Sequence, residues 1–161
     1  MSFPFLSLII FLPLVAGLLI LFLPARAVRA PRVVALVASV LAFALTIWVF
    51  THYDLQAAGY QFQEYVPWLP ALGIGYHVGI DGISLPLLLL GSLILLGGVL
   101  VSWHIEERTR EYFSFFMFLG TSVLGVFSSL DLFQLIFFYE LAVFPKYLMI
   151  LIWGYPQTRE Y

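Results

Sequence analysis

The chain contains no cysteine. Disulfides, thiolate metal sites, cysteine-ligated iron–sulfur clusters and cysteine nucleophiles are therefore excluded from it, and thiol usage says nothing of its redox compartment. Charge is scarce as well: Asp, Glu, Lys and Arg make up 10% of the 161 residues, against 63% hydrophobic residues, and the net charge is −2. No cluster of basic residues could follow a phosphate backbone, which sets nucleic acid aside. So few charges cannot coat a soluble core, and the composition is that of an integral membrane protein.

What the chain does have is long apolar runs. A helix crossing about 30 Å of hydrocarbon needs about 20 apolar residues. Five segments come near that length: residues 3–23, 33–50, 84–103, 112–127 and 132–153. The expected architecture is an all-α integral membrane protein, residues 1–161 forming one membrane domain of five transmembrane helices with a short β-hairpin in the connection 51–83. That hairpin follows from period-two alternation. Tyr60 and Phe62 alternate with Gln61 and Gln63, then Ile74, Tyr76, Val78 and Ile80 alternate with Gly73, Gly75, His77 and Gly79, and Pro67-Trp68-Leu69-Pro70 lies near the expected bend. The glycines there do not have the spacing of a dinucleotide loop, and no βαβ pattern surrounds them.

The basic residues set an orientation. Arg26, Arg29 and Arg32 lie between spans one and two, Arg108 and Arg110 between three and four, and Arg159 after five, whereas connections 51–83 and 128–131 have no Lys or Arg. The positive-inside rule then predicts an amino terminus outside and a carboxyl terminus inside a bacterial plasma membrane. Pro24-Ala25-Arg26-Ala27 resembles a signal-peptide cleavage site, but a signal peptide carries its positive charge before the apolar core, and residues 1–5 carry none.

Glu140 stands in the middle of the fifth span. Nine residues from Asp131, at about 1.5 Å per residue, place it roughly 13 Å below the outer surface. A charge at the bilayer centre costs about 2.5–3.5 kcal/mol on insertion scales, so an acid there is a candidate for function. Low dielectric favours the neutral carboxyl and a nearby cation the charged one; a group balanced between them can take up and release a proton. The alternative is a protonated strut between helices. Lys146, the only lysine, lies six residues on, about 120° around the helix and roughly 9 Å further along it, so the two do not form an i,i+4 pair. It can serve proton transfer or extend to the inner interface. Pro145 has no N–H for the carbonyl of Leu141 and can kink the helix beside Glu140.

Ser84, Gly91 and Gly98 recur seven apart in the third span, and Gly120, Thr121, Ser122 and Gly125 cluster in the fourth; both patterns point to close helix packing. His52, His77 and His104 are scattered, and the topology sets His104 on the opposite side from the others, so no metal site is predicted. Residues 104–111, of mixed charge, are expected to form a solvated turn.

Three stretches together resemble a known family: Gly79-Ile80-Asp81-Gly82-Ile83-Ser84-Leu85-Pro86-Leu87, then Leu124-Gly125-Val126-Phe127 through Leu130-Asp131-Leu132-Phe133, then Phe138-Tyr139-Glu140-Leu141 through Pro145 to Trp153-Gly154. Their order and spacing are similar to the antiporter-like subunit M family of NADH-quinone oxidoreductase, respiratory complex I, over residues 60–161. The resemblance implies a proton-translocating subunit of that enzyme, with redox chemistry and cofactors in other subunits, and with other membrane subunits of the complex and the lipid bilayer as partners. It carries the essential glutamate of the fifth helix onto Glu140. Its partner lysine lies on a seventh helix that this stretch does not reach, so residues 1–161 are expected to be an amino-terminal fragment of a longer subunit. Lys146 departs from the pattern, in which an apolar residue often follows the proline. A subunit of a sodium/proton antiporter or of an ion-pumping membrane hydrogenase, and a purely structural membrane subunit, are the alternatives.

Overall fold

The computed structural model describes residues 3–24, 27–69 and 74–154. Five helices, α1 (Phe5–Phe22), α2 (Arg29–Thr51), α3 (Ser84–Val101), α4 (Thr109–Ser128) and α5 (Leu132–Trp153), are joined by a hairpin of β1 (Gln61–Leu69) and β2 (Ile74–Ile80), which lies between α2 and α3. Each helix, α3 being extended by a 3₁₀ turn at Ser102–His104, is long and apolar enough to cross a membrane. The five expected spans are all present. Two start earlier than their apolar runs: α2 begins at Arg29 rather than 33, and α4 at Thr109 rather than 112. Helix ends accept polar residues when their groups find partners. Arg32 Nη2 donates to the Ile105 carbonyl at 3.1 Å, and the Thr109 hydroxyl donates to the carbonyls of Ile105 and Glu106.

The antiparallel hairpin matches the alternation, and the connection between its strands, from Leu69 to Ile74, falls beside the Pro67–Pro70 stretch as expected. Pro67, Trp68 and Leu69 belong to β1, Pro67 pairing with Gly75; the expected bend residue Pro70, with Gly73, lies outside the described residues. A proline is tolerated there because β1 is an edge strand. Between Gln61 and Glu64 the register slips by one residue, a bulge, and Phe62 takes a positive φ of 52°. Such backbone costs about 1–3 kcal/mol in a non-glycine residue. Around it, Phe62 packs edge-on to Phe5 and Trp48, and Glu64 reaches the start of α1.

The stretch 79–84, part of the family-like motif, works as a helix-start device. Asp81 Oδ1 accepts the amides of Ser84 (2.7 Å) and Ile83 (3.0 Å), while Ser84 Oγ accepts the amide of Asp81 (2.8 Å), a reciprocal cap that orients α3 off the hairpin. The amide of Ser84, chiefly, holds the Asp81 carboxyl below the usual aspartate range.

Helix α4 is central, touching the other four helices. Small residues allow this. A methyl group on Gly120 would meet Leu95 of α3, one on Gly125 would lie 2.5 Å from the Phe138 ring of α5, and one on Gly17 would strike Phe118. Where α1 and α4 approach, Ser114 Oγ donates to the Gly17 carbonyl at 2.8 Å. The predicted packing role of the small residues in α3 and α4 therefore holds for Gly91, Gly98, Gly120 and Gly125.

Candidate functional site

Helix α5 carries the candidate residues and is the least covered of the five. It packs on α4 and β2, and only Gln134, Phe138 and Pro145 on it are buried. Its start is capped by Asp131, whose carboxylate accepts the amide of Gln134 at 3.1 Å. The Asp131-x-x-Gln134 spacing suggests a reciprocal cap. Tertiary structure redirects the glutamine: its Oε1 accepts the backbone amide of His77 in β2 at 2.8 Å. The His77 carbonyl accepts from Leu130 N at 2.9 Å, and Val78 bridges Ser129, so the α4–α5 corner is tied to the free edge of β2. Leu130 fills the space over Gly79, where a methyl group would lie 2.7 Å from it. The hairpin thus straps the amino-terminal end of α5.

This strap and the Gly125–Phe138 contact decide which way α5 faces. At about 100° per residue, Glu140 lies roughly 200° around the helix from buried Phe138. Glu140 is exposed on the open face, as are Tyr139, Phe144, Lys146 and Tyr147. No hydrogen bond or ion pair joins the Glu140 side chain to any described residue, and the one ion pair among those residues is Arg110–Glu111 at 3.0 Å. The two candidates are not brought together. Lys146 borders a cleft at the other end of α5 with Tyr112 and Trp153, whose indole N–H donates to the Glu107 carbonyl. Pro145 is buried, and α5 runs as one helix from Leu132 to Trp153 across it.

Four side chains had no local signal. Glu64 accepts the amides of Leu6 (2.8 Å) and Ser7 (3.2 Å) and the Ser7 hydroxyl, satisfying free N–H groups at the start of α1 from 57 and 58 positions away in the chain. Tyr76 shares the Ser7 hydroxyl at 2.9 Å; burial, above all, pushes its phenol up to about 12, with the Glu64 charge adding to the shift against the Ser7 hydrogen bond. Gln134 and Thr121 are the other two, both buried and each with a polar atom lacking a partner. At the opposite end of the bundle Arg32 and Arg110 hold the Ile105 and Leu23 carbonyls. Arg26 and Arg159 lie outside the described residues. Among the described residues no group of three His, Asp or Glu side chains is placed to hold a metal ion.

Five apolar helices long enough to cross a membrane, a hairpin strapped to α5, and an acid halfway along that helix define a multi-pass membrane protein. The fold is shared with a chain of respiratory complex I from Thermus thermophilus with bound NADH (TM-score 0.75, 28% identity, 92% of this chain and 29% of that one). It is shared too with a chain of an archaeal membrane-bound sulfane sulfur reductase (TM-score 0.74, 18% identity, 92% and 23%), where the likeness is one of fold alone. Among curated relatives, NAD(P)H-quinone oxidoreductase chain 4 proteins of Thermosynechococcus vestitus and Trichormus variabilis are 37% and 38% identical over 161 and 159 residues. Across the stretch it spans, the chain belongs to this chain 4 family. It covers 99% and 98% of its own length in these matches but 30% of the length of each relative. No protein-family model matches it.

Proposed function

We propose that this chain is part of a proton-translocating membrane subunit of NADH-quinone oxidoreductase, and that Glu140 is its proton-carrying group. The observation that carries the reading is Glu140 itself: an acid about 13 Å into a membrane helix, with no partner among the described residues, on a face that α5 keeps turned away from its own bundle. Family membership supports the same reading, because the relatives are subunits of an oxidoreductase that acts on quinone.

In this reading electron transfer takes place in other subunits and reaches Glu140 as a change in local field, which alters its proton affinity. The open face of α5 meets further membrane helices of the longer subunit and its neighbours in the complex. Lys146, roughly 9 Å along α5 and on a different azimuth, serves proton transfer at the inner end rather than as the counter-charge of Glu140, and buried Pro145 leaves the Leu141 carbonyl without its helical donor one residue from Glu140. The hairpin end lies outside a bacterial plasma membrane and the arginine end inside. In the complete complex, Glu140→Gln is expected to abolish most proton pumping while leaving assembly intact. Wild-type proton-to-electron stoichiometry and rate in that variant would refute the assignment. Pumping measured with and without sodium separates proton from sodium coupling.

A further inference from the structure

We propose that Gln134 is a positioning residue for proton transfer by Glu140: its bond to the His77 backbone fixes the rotation of α5 about its own axis. The inference rests on the reading of Glu140 as the proton-carrying group and adds to it the device that aims the carboxyl.

Little else holds this half of α5. From Leu132 to Glu140 every residue is exposed except Gln134 and Phe138. Together with Pro145, these two lie within about 40° of one another around the helix. A helix seated on a core ordinarily presents an apolar stripe about 100° wide or more. A stripe this narrow sets how closely α5 approaches α4 but leaves it free to roll. The seat of Phe138 on Gly125 is an apolar contact, and apolar contact is non-directional. The bond from His77 N to Gln134 Oε1, at 2.8 Å, is directional, weakens steeply once bent, and lies off the axis of α5, so it resists roll.

The anchor that Gln134 reaches is itself fixed. His77 spends both backbone groups on this corner, its N–H on Gln134 and its carbonyl on Leu130 N, and it lies within the strand that pairs with β1. The choice of side chain fits the task. Gln134 is 5% exposed and its Nε2 has no partner, whereas a leucine there would pack without leaving a buried donor unmet. The glutamine therefore serves the bond and not the packing. An amide does not titrate, so the tether keeps its chemistry whether or not Glu140, about 9 Å further along α5, holds its proton.

Small rotations matter at this radius. With about 5–6 Å from the helix axis to the side-chain ends, a roll of about 20° moves the Glu140 carboxyl by about 2 Å. Proton transfer needs heavy atoms about 2.6–3.2 Å apart or joined through one water, and a misplacement of about 1 Å can cost about 100-fold in rate.

The test uses the complete subunit in its membrane complex. A photoreactive benzophenone replaces the ring of Tyr139, and the peptides it attaches to on irradiation report which way this face of α5 points. Gln134→Leu is expected to redirect those attachments. With Tyr139 intact, the same substitution should lower the pumping rate at least about tenfold and displace its pH profile, which a loss of assembled subunit alone would not move. Gln134→Glu keeps the acceptor and His77→Ala keeps the donor, so both should retain the wild-type attachments. His77→Pro removes only the backbone donor from the bond, at an edge that tolerates proline, and should reproduce the effects of Gln134→Leu; it supplies the result if that variant prevents assembly. Unchanged attachments in both Gln134→Leu and His77→Pro would overturn the proposal, as would redirected attachments with wild-type pumping. Wild-type pumping in Glu140→Gln would overturn it too, and would locate the failure in the assignment of Glu140 rather than in the strap.

Discussion

Replacing Glu64 by alanine should loosen the start of α1. The amides of Leu6 and Ser7 fall within the first turn, where a helix offers its own N–H groups no carbonyl, so their protection depends on the Glu64 carboxylate at 2.8 and 3.2 Å. Hydrogen bonds to charged groups contribute about 1.5–3 kcal/mol each. Glu64 is only partly buried and water can replace some of that, which leaves about 2–3 kcal/mol for the pair, taking the low end for each amide. At 1.4 kcal/mol per factor of ten, opening of this turn rises about 30- to 150-fold. Hydrogen–deuterium exchange followed by mass spectrometry of a peptide covering residues 3–10 reads it directly, with a peptide from the middle of α3 as control. Glu64→Gln keeps an acceptor oxygen and loses the charge, so its increase should fall between those of wild type and Glu64→Ala. An increase under about threefold in Glu64→Ala would show that the contact protects nothing, since that factor corresponds to only ~0.7 kcal/mol.

Three further outcomes follow from the same geometry. Gly125→Ala places a methyl group 2.5 Å from the Phe138 ring, and the overpacking should cost about 1–3 kcal/mol, seen as a lower unfolding temperature and faster exchange across α5; unchanged stability would show that α5 does not sit on α4 as described. Gln134→Leu orphans the His77 amide and should cost about 1–3 kcal/mol, with exchange rising at His77 and Gln134→Glu retaining the acceptor; equal exchange in both variants would remove the strap. Tyr76 titrates at about 12 instead of 10, so its contribution to stability is complete below pH 10 and is lost as the pH rises from 10 to 12, where the unfolded phenol ionises first. Ultraviolet titration of wild type against Tyr76→Phe checks this, and a tyrosinate forming near pH 10 would contradict it.

Much of the fold was legible because it depends on short stretches. Apolar run length identifies the five spans, period two identifies the hairpin strands, and Asp81 and Asp131 stand where helix starts need acceptors. The early starts of α2 and α4 were not legible, since Arg29, Arg32 and Thr109 look like loop until carbonyls such as that of Ile105 arrive from elsewhere. Nor was the inclusion of Pro67 in β1: a proline signals a turn locally, yet an unpaired edge accommodates it inside the strand.

The candidate site divides the same way. Sequence alone determined that an acid lies at Glu140, how far along α5 it stands from Asp131, and that Lys146 cannot pair with it along the same helix, because rise and rotation per residue are properties of any α-helix. Only the tertiary structure decided the azimuth of α5. That depends on Phe138 seating on Gly125 and on Gln134 being claimed by His77 rather than by its own cap, contacts that join residues 13 and 57 positions apart. The same long-range packing brings Glu64 to α1. Local periodicity carries no information about such pairs, since they exist only once five helices and a hairpin have settled against each other.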